Sequence, residues 1–335
     1  MEGFGKKDQR ENEVTEVTTF QVPLCIKWNK KNITISTNRK DEVSKDKIIN
    51  QAFKFHSQGN ISEASRYYQS FINQGFNDHR VFCNYGILLI NHGRLEEAEI
   101  SLRKAIELKP NYVIAHSNLG NILKDIGRLE EAELSLRKAI ELNPNYAMAY
   151  SNLGSIFKDL GRLEEAEIST RRAIELKSDL GIAHSNLGSI LRDLGRLEEA
   201  EISTRKAIEL DPCFANAHSN LGSILSDLGK LQEAELSQRK AIELKPDFAM
   251  AHSNLGLILS DLGKSQEAEA SHRQAIELKN DFADSHHNLS HLLLKQMKFK
   301  EGWEQYEWRW KVNQKDISIG DKLSTSKPEW SPYNR

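Results

Sequence analysis

Long apolar runs are missing from this 335-residue sequence. Nothing approaches the ~20 residues needed to span a bilayer, and the opening MEGFGKKDQRENEVTEVTTF lacks the apolar segment of a secretion signal. An excess of one charge is missing too: 46 Lys and Arg against 48 Asp and Glu leave a formal charge of −2. That balance argues against a nucleic-acid partner, which needs a basic surface to displace phosphate counterions. Cysteine is scarce, and Cys25, Cys83 and Cys213 lie far apart. Dispersed thiols of odd number fit reduced intracellular cysteines better than a disulfide framework or a zinc site. Aromatics make up only 7%, which suits helices packed through Ala, Leu and Ile better than a sheet sandwich. The expectation is a cytoplasmic protein with no membrane segment. The glycosylation sequons at Asn32, Asn60 and Asn288 therefore carry little weight.

What is present is repetition. Asn-Leu-Gly begins at Asn118, Asn152, Asn186, Asn220 and Asn254, always 34 residues apart, with variants at Asn84 (Asn-Tyr-Gly) and Asn288 (Asn-Leu-Ser) and a worn copy at Asn50. This gives eight units. Residues 148–181 and 182–215 share 24 of their 34 positions. Each unit reads as two helices. In 182–215, Ala183, Leu187, Ile190 and Leu194 form an apolar stripe at helical spacing, and Gly195 ends that helix. Leu197, Ala200, Thr204, Ala207 and Ile208 share a face of the second helix, and Pro212 blocks its continuation. Glu201, Arg205 and Glu209, four apart, are placed to pair along the outer face.

Leu187, Gly188, Leu191, Ala200, Ala207 and Pro212 at a 34-residue period resemble the tetratricopeptide motif, with Gly188 and Ala200 as the small residues that let two helices approach. His116, His184, His218 and His252 stand where that family often has an aromatic, and Ser178 and Asn280 replace the proline. The resemblance implies an all-α fold, a right-handed α-solenoid of eight helix-turn-helix units over 45–316. A polar arm at 1–44 precedes it and a tail or junction at 317–335 follows. In the arm, Phe20, Val22, Leu24, Ile26 and Trp28 alternate, leaving a short hairpin or an unstructured arm open. A single unit cannot bury its own apolar faces, so the ends need caps. The first unit, where Gln51 and Phe71 replace Leu and Ala, and the last, with Trp303, Tyr306, Trp308 and Trp310, depart accordingly.

If Ala183, Leu187, Ile190 and Leu194 face the core, the opposite stripe is Ser185, Asn186, Ser189, Arg192 and Asp193. The family resemblance puts first helices on the concave side, so this stripe is expected to line a groove. Repetition turns it into three ladders: Asn84, Asn118, Asn152, Asn186, Asn220, Asn254 and Asn288; Asp125, Asp159, Asp193, Asp227 and Asp261; and Lys124, Lys158 and Arg192. An amide donates and accepts, so it can bracket a peptide unit whatever the ligand's side chains. Helices ~8–10 Å apart set a spacing that about three extended residues cover. Asn and Asp ladders of this kind resemble the repeat region of protein O-linked N-acetylglucosamine transferases, where they grip substrate backbone. The competing reading is that each Asn bonds within or between repeats and was multiplied by duplication.

Other constellations are weaker. His287 and His291, four apart beside His286, are spaced to share a metal. No carboxylate or cysteine accompanies them at matching spacing, and Lys295 and Lys298 are near. They read as a polar groove end, with no metal and no cofactor expected. No phosphate loop or nucleophile-base pairing stands out, and no catalytic residue is expected. At the C-terminal end, KEGWEQYEWRWK (300–311) and KPEWSPYNR (327–335) resemble the junction at which bacterial proteins join such repeats to a glycosyltransferase-like domain. Trp303, Tyr306 and Trp310 are then either an end cap or a docking face. The reading is a non-enzymatic scaffold for a protein or extended peptide. The alternative is the substrate-recognition half of a protein glycosyltransferase.

Overall fold

A computed structural model describes residues 45–311. The expected arm, with its alternating residues 20–28, and the tail lie outside the described residues. Among the described residues there is no strand. Those residues form sixteen α-helices that follow one another in eight pairs. They divide into two compact units, up to Leu176 and from Lys177.

The first unit contains α1 (Lys45–Ser57), α2 (Ile61–Asn73), α3 (His79–Asn91), α4 (Leu95–Leu108), α5 (Val113–Asp125), α6 (Leu129–Leu142), α7 (Ala147–Asp159) and α8 (Leu163–Leu176). In its first pair, Phe71, the residue that replaces Ala in the sequence pattern, is fully buried, as is Tyr68. His56 Nδ1 lies 2.9 Å from the Tyr68 hydroxyl. The second unit contains α9 (Gly181–Asp193), α10 (Leu197–Leu210), α11 (Ala215–Asp227), α12 (Leu231–Leu244), α13 (Ala249–Asp261), α14 (Ser265–Leu278), α15 (Ala283–Lys295) and the short α16 (Phe299–Tyr306), which tightens into a 3₁₀ turn over Glu307–Lys311.

The pair α9–α10 shows why these residues fold this way. Of the residues expected from periodicity, Ala183, Leu187, Ile190, Ala200, Thr204 and Ala207 are buried and Leu194, Leu197 and Ile208 are half-buried; Leu191, outside that stripe, is buried as well. Gly195 takes φ of +74°. The Gly195 N–H donates to Arg192 at 2.9 Å and the Arg196 N–H to Leu191 at 2.8 Å, closing the α9 C-terminus with a residue whose missing side chain tolerates that conformation. Gly188 sets the approach of the two helices: a methyl group there would lie 2.0 Å from Thr204 Oγ1 and 3.1 Å from the Ala200 carbonyl oxygen. Such close packing is felt at the level of one carbon.

The charged outer face is wired differently from the sequence expectation. Arg205 pairs with Glu201 at 2.8 Å, but its other partner is Glu233 of the next pair, at 3.1 Å. Glu209 pairs with Lys206. Charges four apart on one helix are also neighbours of charges one repeat on, and both contacts form.

Candidate functional site

The face built by the first helix of each pair carries the predicted ladders, and the structure corrects part of them. Ser185 is only 2% exposed, so it is not on the groove stripe. It sits under the next repeat, as do Ser117 in the first unit and Ser219 and Ser253 in the second. A serine is small enough to fit where helices meet. Asn84 and Asn152 are each 8% exposed and do not line an open groove, whereas Asn118, Asn186, Asn220, Asn254 and Asn288 are half-buried.

In the first unit, Asn84 Nδ2 donates to the Tyr68 hydroxyl at 3.4 Å and Asn118 Nδ2 to Cys83 Sγ at 3.9 Å. Asn152 Nδ2 is buried without a partner among the described residues. In the second unit, Asn220 Nδ2 donates to Ser185 Oγ at 3.1 Å and Asn254 Nδ2 to Ser223 Oγ at 3.2 Å. Asn118, Asn220 and Asn254 thus direct an amide N–H to the preceding first helix, whereas Asn84 donates to the second helix of the pair before it. With Nδ2 held inward, the carbonyl oxygens of Asn118, Asn220 and Asn254 are the atoms left to accept from outside, with no donor among the described residues. Ser223 is the counterpart, one 34-residue step on, of Ser189 in the predicted groove stripe, and recurs also as Ser155; its bond to the asparagine of the next repeat is what the stripe alone did not show.

The aspartates occupy one architectural position. Asp125 and Asp159 in the first unit, and Asp193, Asp227 and Asp261 in the second, are each the last residue of their helix, and all five are exposed. A carboxylate there faces the negative end of the helix dipole, which costs about 0.3–1 kcal/mol. The basic ladder answers some of it. Lys124 reaches Asp159 at 3.4 Å and Ser155 Oγ at 2.6 Å, and Arg192 forks onto Asp227 at 2.5 and 3.3 Å. Lys158 has partners of its own. Although Asp125 is exposed as a residue, partial desolvation of its carboxyl, with Asp159 adding to it, holds that group above its usual range against the pull of Lys124. Asp261 has no ionic partner among the described residues, since Ser226 and Ser260 replace the cation in the later repeats.

Histidines 116, 184, 218 and 252 are half-buried. Their Nε2 atoms lie 2.8–3.1 Å from carbonyl oxygens of the preceding turns, at Pro110, Ser178, Pro212 and Pro246. At the C-terminal end, Trp308 stacks on His286 at 4.0 Å. Trp303 and Trp310 stay 45% and 59% exposed, and Arg309 lies over both Tyr306 and Trp310. Among the described residues, no group of three or more His, Cys, Asp or Glu is placed to hold a metal, and no helix is long and apolar enough to cross a membrane.

Paired helices with a glycine at the contact in every pair but the first, and a left-handed glycine at the turn of every pair but the last, where Met297 stands, define an α-solenoid of helix-turn-helix repeats. Family models agree: residues 86–127 and 120–161 match a TPR repeat, and 147–180, 181–212, 215–248 and 238–270 match the tetratricopeptide repeat. These matches cover more than half of the chain, and it belongs to the tetratricopeptide-repeat family. Among solved structures it is similar to a chain of the APC/C hetero-tetramer Cut9–Hcn1, with TM-score 0.67 and 16% identity over 83% of this chain. The match spans 55% of that chain, little more than half its length. It is also similar to the human IFIT1 dimer with m7Gppp-AAAA (TM-score 0.65, 18% identity, 82% of this chain and 70% of that one). A third likeness is to a tetratricopeptide-repeat protein from Parabacteroides merdae (TM-score 0.60, 17% identity, 74% and 98%). At these identities the likeness is one of fold. Comparison with curated protein sequences returns no match.

Proposed function

We propose that the chain is a non-catalytic scaffold that holds an extended polypeptide along its first-helix face. The observation that carries this is the repeated exposed aspartate at the helix C-terminus. A local rule broken at the same place in five repeats, with no stabilising return at Asp261, marks a surface shaped for a ligand rather than for stability. The asparagines supply the second element. Their carbonyl oxygens, held by the inter-repeat bond from Nδ2, accept N–H groups of the ligand backbone, while the aspartates favour basic ligand side chains.

The test uses a peptide selected from a random library against the full chain. Replacing Asn220 and Asn254 by Ala removes two backbone contacts, and at ~0.5–1.5 kcal/mol each affinity should fall about 5- to 150-fold per folded molecule. Replacing Asp227 and Asp261 by Asn should shift selection away from Lys and Arg, with a salt-dependent effect. Unchanged affinity per folded molecule in the Asn variant, alongside lost stability, would reject the grip and leave inter-repeat bonding as the amide's whole role.

The alternative, the recognition half of a protein glycosyltransferase, draws on exposed Trp303 and Trp310 at the end that resembles such a junction. Coding sequence continuing past Arg335 into a nucleotide-sugar-binding domain would favour it. A rise in melting temperature of this chain alone with a uridine-diphosphate sugar would overturn the non-catalytic assignment.

A further inference from the structure

We infer that His287 and His291 form a binding site for a divalent transition-metal ion, copper(II) held more tightly than zinc(II). Sequence spacing alone pointed away from a metal because no cysteine or carboxylate accompanied the pair. The structure adds the convergence of the two rings. On α15 they stand one turn apart, and their Nε2 atoms are 3.1 Å from each other. Two imidazole nitrogens at ~2.0–2.1 Å from one ion, with a bond angle between square and tetrahedral, lie about 2.8–3.4 Å apart. A single shared proton holds the nitrogens together without metal; an ion replaces that proton and takes both lone pairs.

The rings are braced. Tyr306 packs 5.8 Å from each of them, and Trp303 meets Tyr306 edge-on at 5.5 Å. Little side-chain freedom is left to lose on binding. No third protein donor joins them among the described residues, so water fills the remaining positions.

The other histidines do not offer this. His286 directs Nδ1 to Gln305 Oε1 and Nε2 to the Asn280 carbonyl oxygen, and His272 is buried. His92 Nδ1 lies 2.7 Å from the Leu88 carbonyl oxygen, and the four half-buried histidines are tied to carbonyls. The preference for copper over zinc follows the general order of divalent affinities at nitrogen sites.

The test is calorimetric titration of the untagged full chain with copper(II) and zinc(II) chloride in a non-chelating buffer, with electron paramagnetic resonance of the copper form. One saturable site with nitrogen hyperfine structure is expected. Loss of a mere outer partner of a metal ligand costs about 10–100-fold, so His287→Gln or His291→Gln should each weaken binding at least ten-fold. His252→Gln should not. His291 is exposed, so His291→Gln should leave the helical circular dichroism unchanged, which separates lost ligation from lost fold. Binding no tighter than about 1 mM, or tighter binding that survives both substitutions, would overturn the site.

Discussion

Arg128 Nη1 lies 2.9 Å from Glu99 Oε1 of the preceding pair, and the same carboxylate takes Arg103 of its own helix at 2.8 Å. The device recurs. Glu133 is shared by Arg137 and Arg162, Glu201 by Arg205 and Lys230, Glu235 by Arg239 and Lys264, and Glu269 by Arg273 and Lys298. In each unit the repeats are therefore joined by a largely covered glutamate that faces two cations.

Glu235→Gln should lower the stability of the second unit by about 1–2 kcal/mol, between the values for exposed and buried pairs. The bond from Lys264, ahead of the other contributions, depresses the Glu235 pKa. Its stabilisation is therefore present above the ordinary carboxylate range and is lost as pH falls through the depressed folded value. Urea melts should show wild type and Glu235→Gln far apart near neutrality and converging in acid. A gap that does not narrow would mean the glutamate acts by packing alone.

Helix pairing was legible in the sequence because the period repeats the same spacing many times. Leu187, Gly188, Ala200 and Ala207 were placed correctly by that logic. Ser185 was not: a small polar residue suits a groove wall and a helix contact equally, and only the packed neighbour decides. The asparagines were legible as a ladder but not as divided groups, because which half of an amide is used depends on Cys83, Ser185 and Ser223 in another repeat. Arg205 shows the same limit. Its partner Glu201 is visible from helical spacing, but Glu233, 28 residues on, requires the tertiary contact.

Gly188→Ala should destabilise by about 1–3 kcal/mol, the usual cost of an added carbon in a close-packed core. The Thr204 hydroxyl can rotate away, but the Ala200 carbonyl at 3.1 Å is backbone. Adding Thr204→Ala to Gly188→Ala should recover only part of the loss. Thermal melts of the two variants decide it, and a neutral Gly188→Ala would show that the helices can part more freely than the geometry allows.

Met297→Gly should stabilise the chain. Met297 holds φ of +63° where every regular repeat has glycine, as at Gly263 with +75°. Its side chain is 77% exposed, so little packing is lost on removal. A left-handed residue with a side chain costs about 1–2 kcal/mol, and the extra freedom of glycine when unfolded returns part of that. A gain of about 0.5–1 kcal/mol is expected. Loss of stability instead would reveal a contact of the methionine that outweighs its backbone strain.

His272 stands on α14 against Gly256, where the earlier repeats place Leu102 against Gly86 and Leu136 against Gly120. It is 1% exposed, and neither ring nitrogen has a partner. Burial pushes its pKa down to about 4 from the ordinary 6.5. The unfolded chain then binds a proton as pH falls below about 6.5 while the folded chain does not until about 4, so stability drops across that window. The full loss is on the order of 3 kcal/mol. Above it, two unsatisfied buried nitrogens still cost free energy. His272→Leu places at this contact the residue that already fits it in two other repeats. The variant should be more stable at neutral pH and should lose the decline between about pH 6.5 and 4, leaving the carboxylate-driven loss at lower pH. Hydrogen exchange as a function of pH would localise the effect, with amides of α13 and α14 gaining the most protection. A variant that keeps the decline above pH 4 would assign it to another group, and one that is destabilised would mean that His272 is satisfied by water.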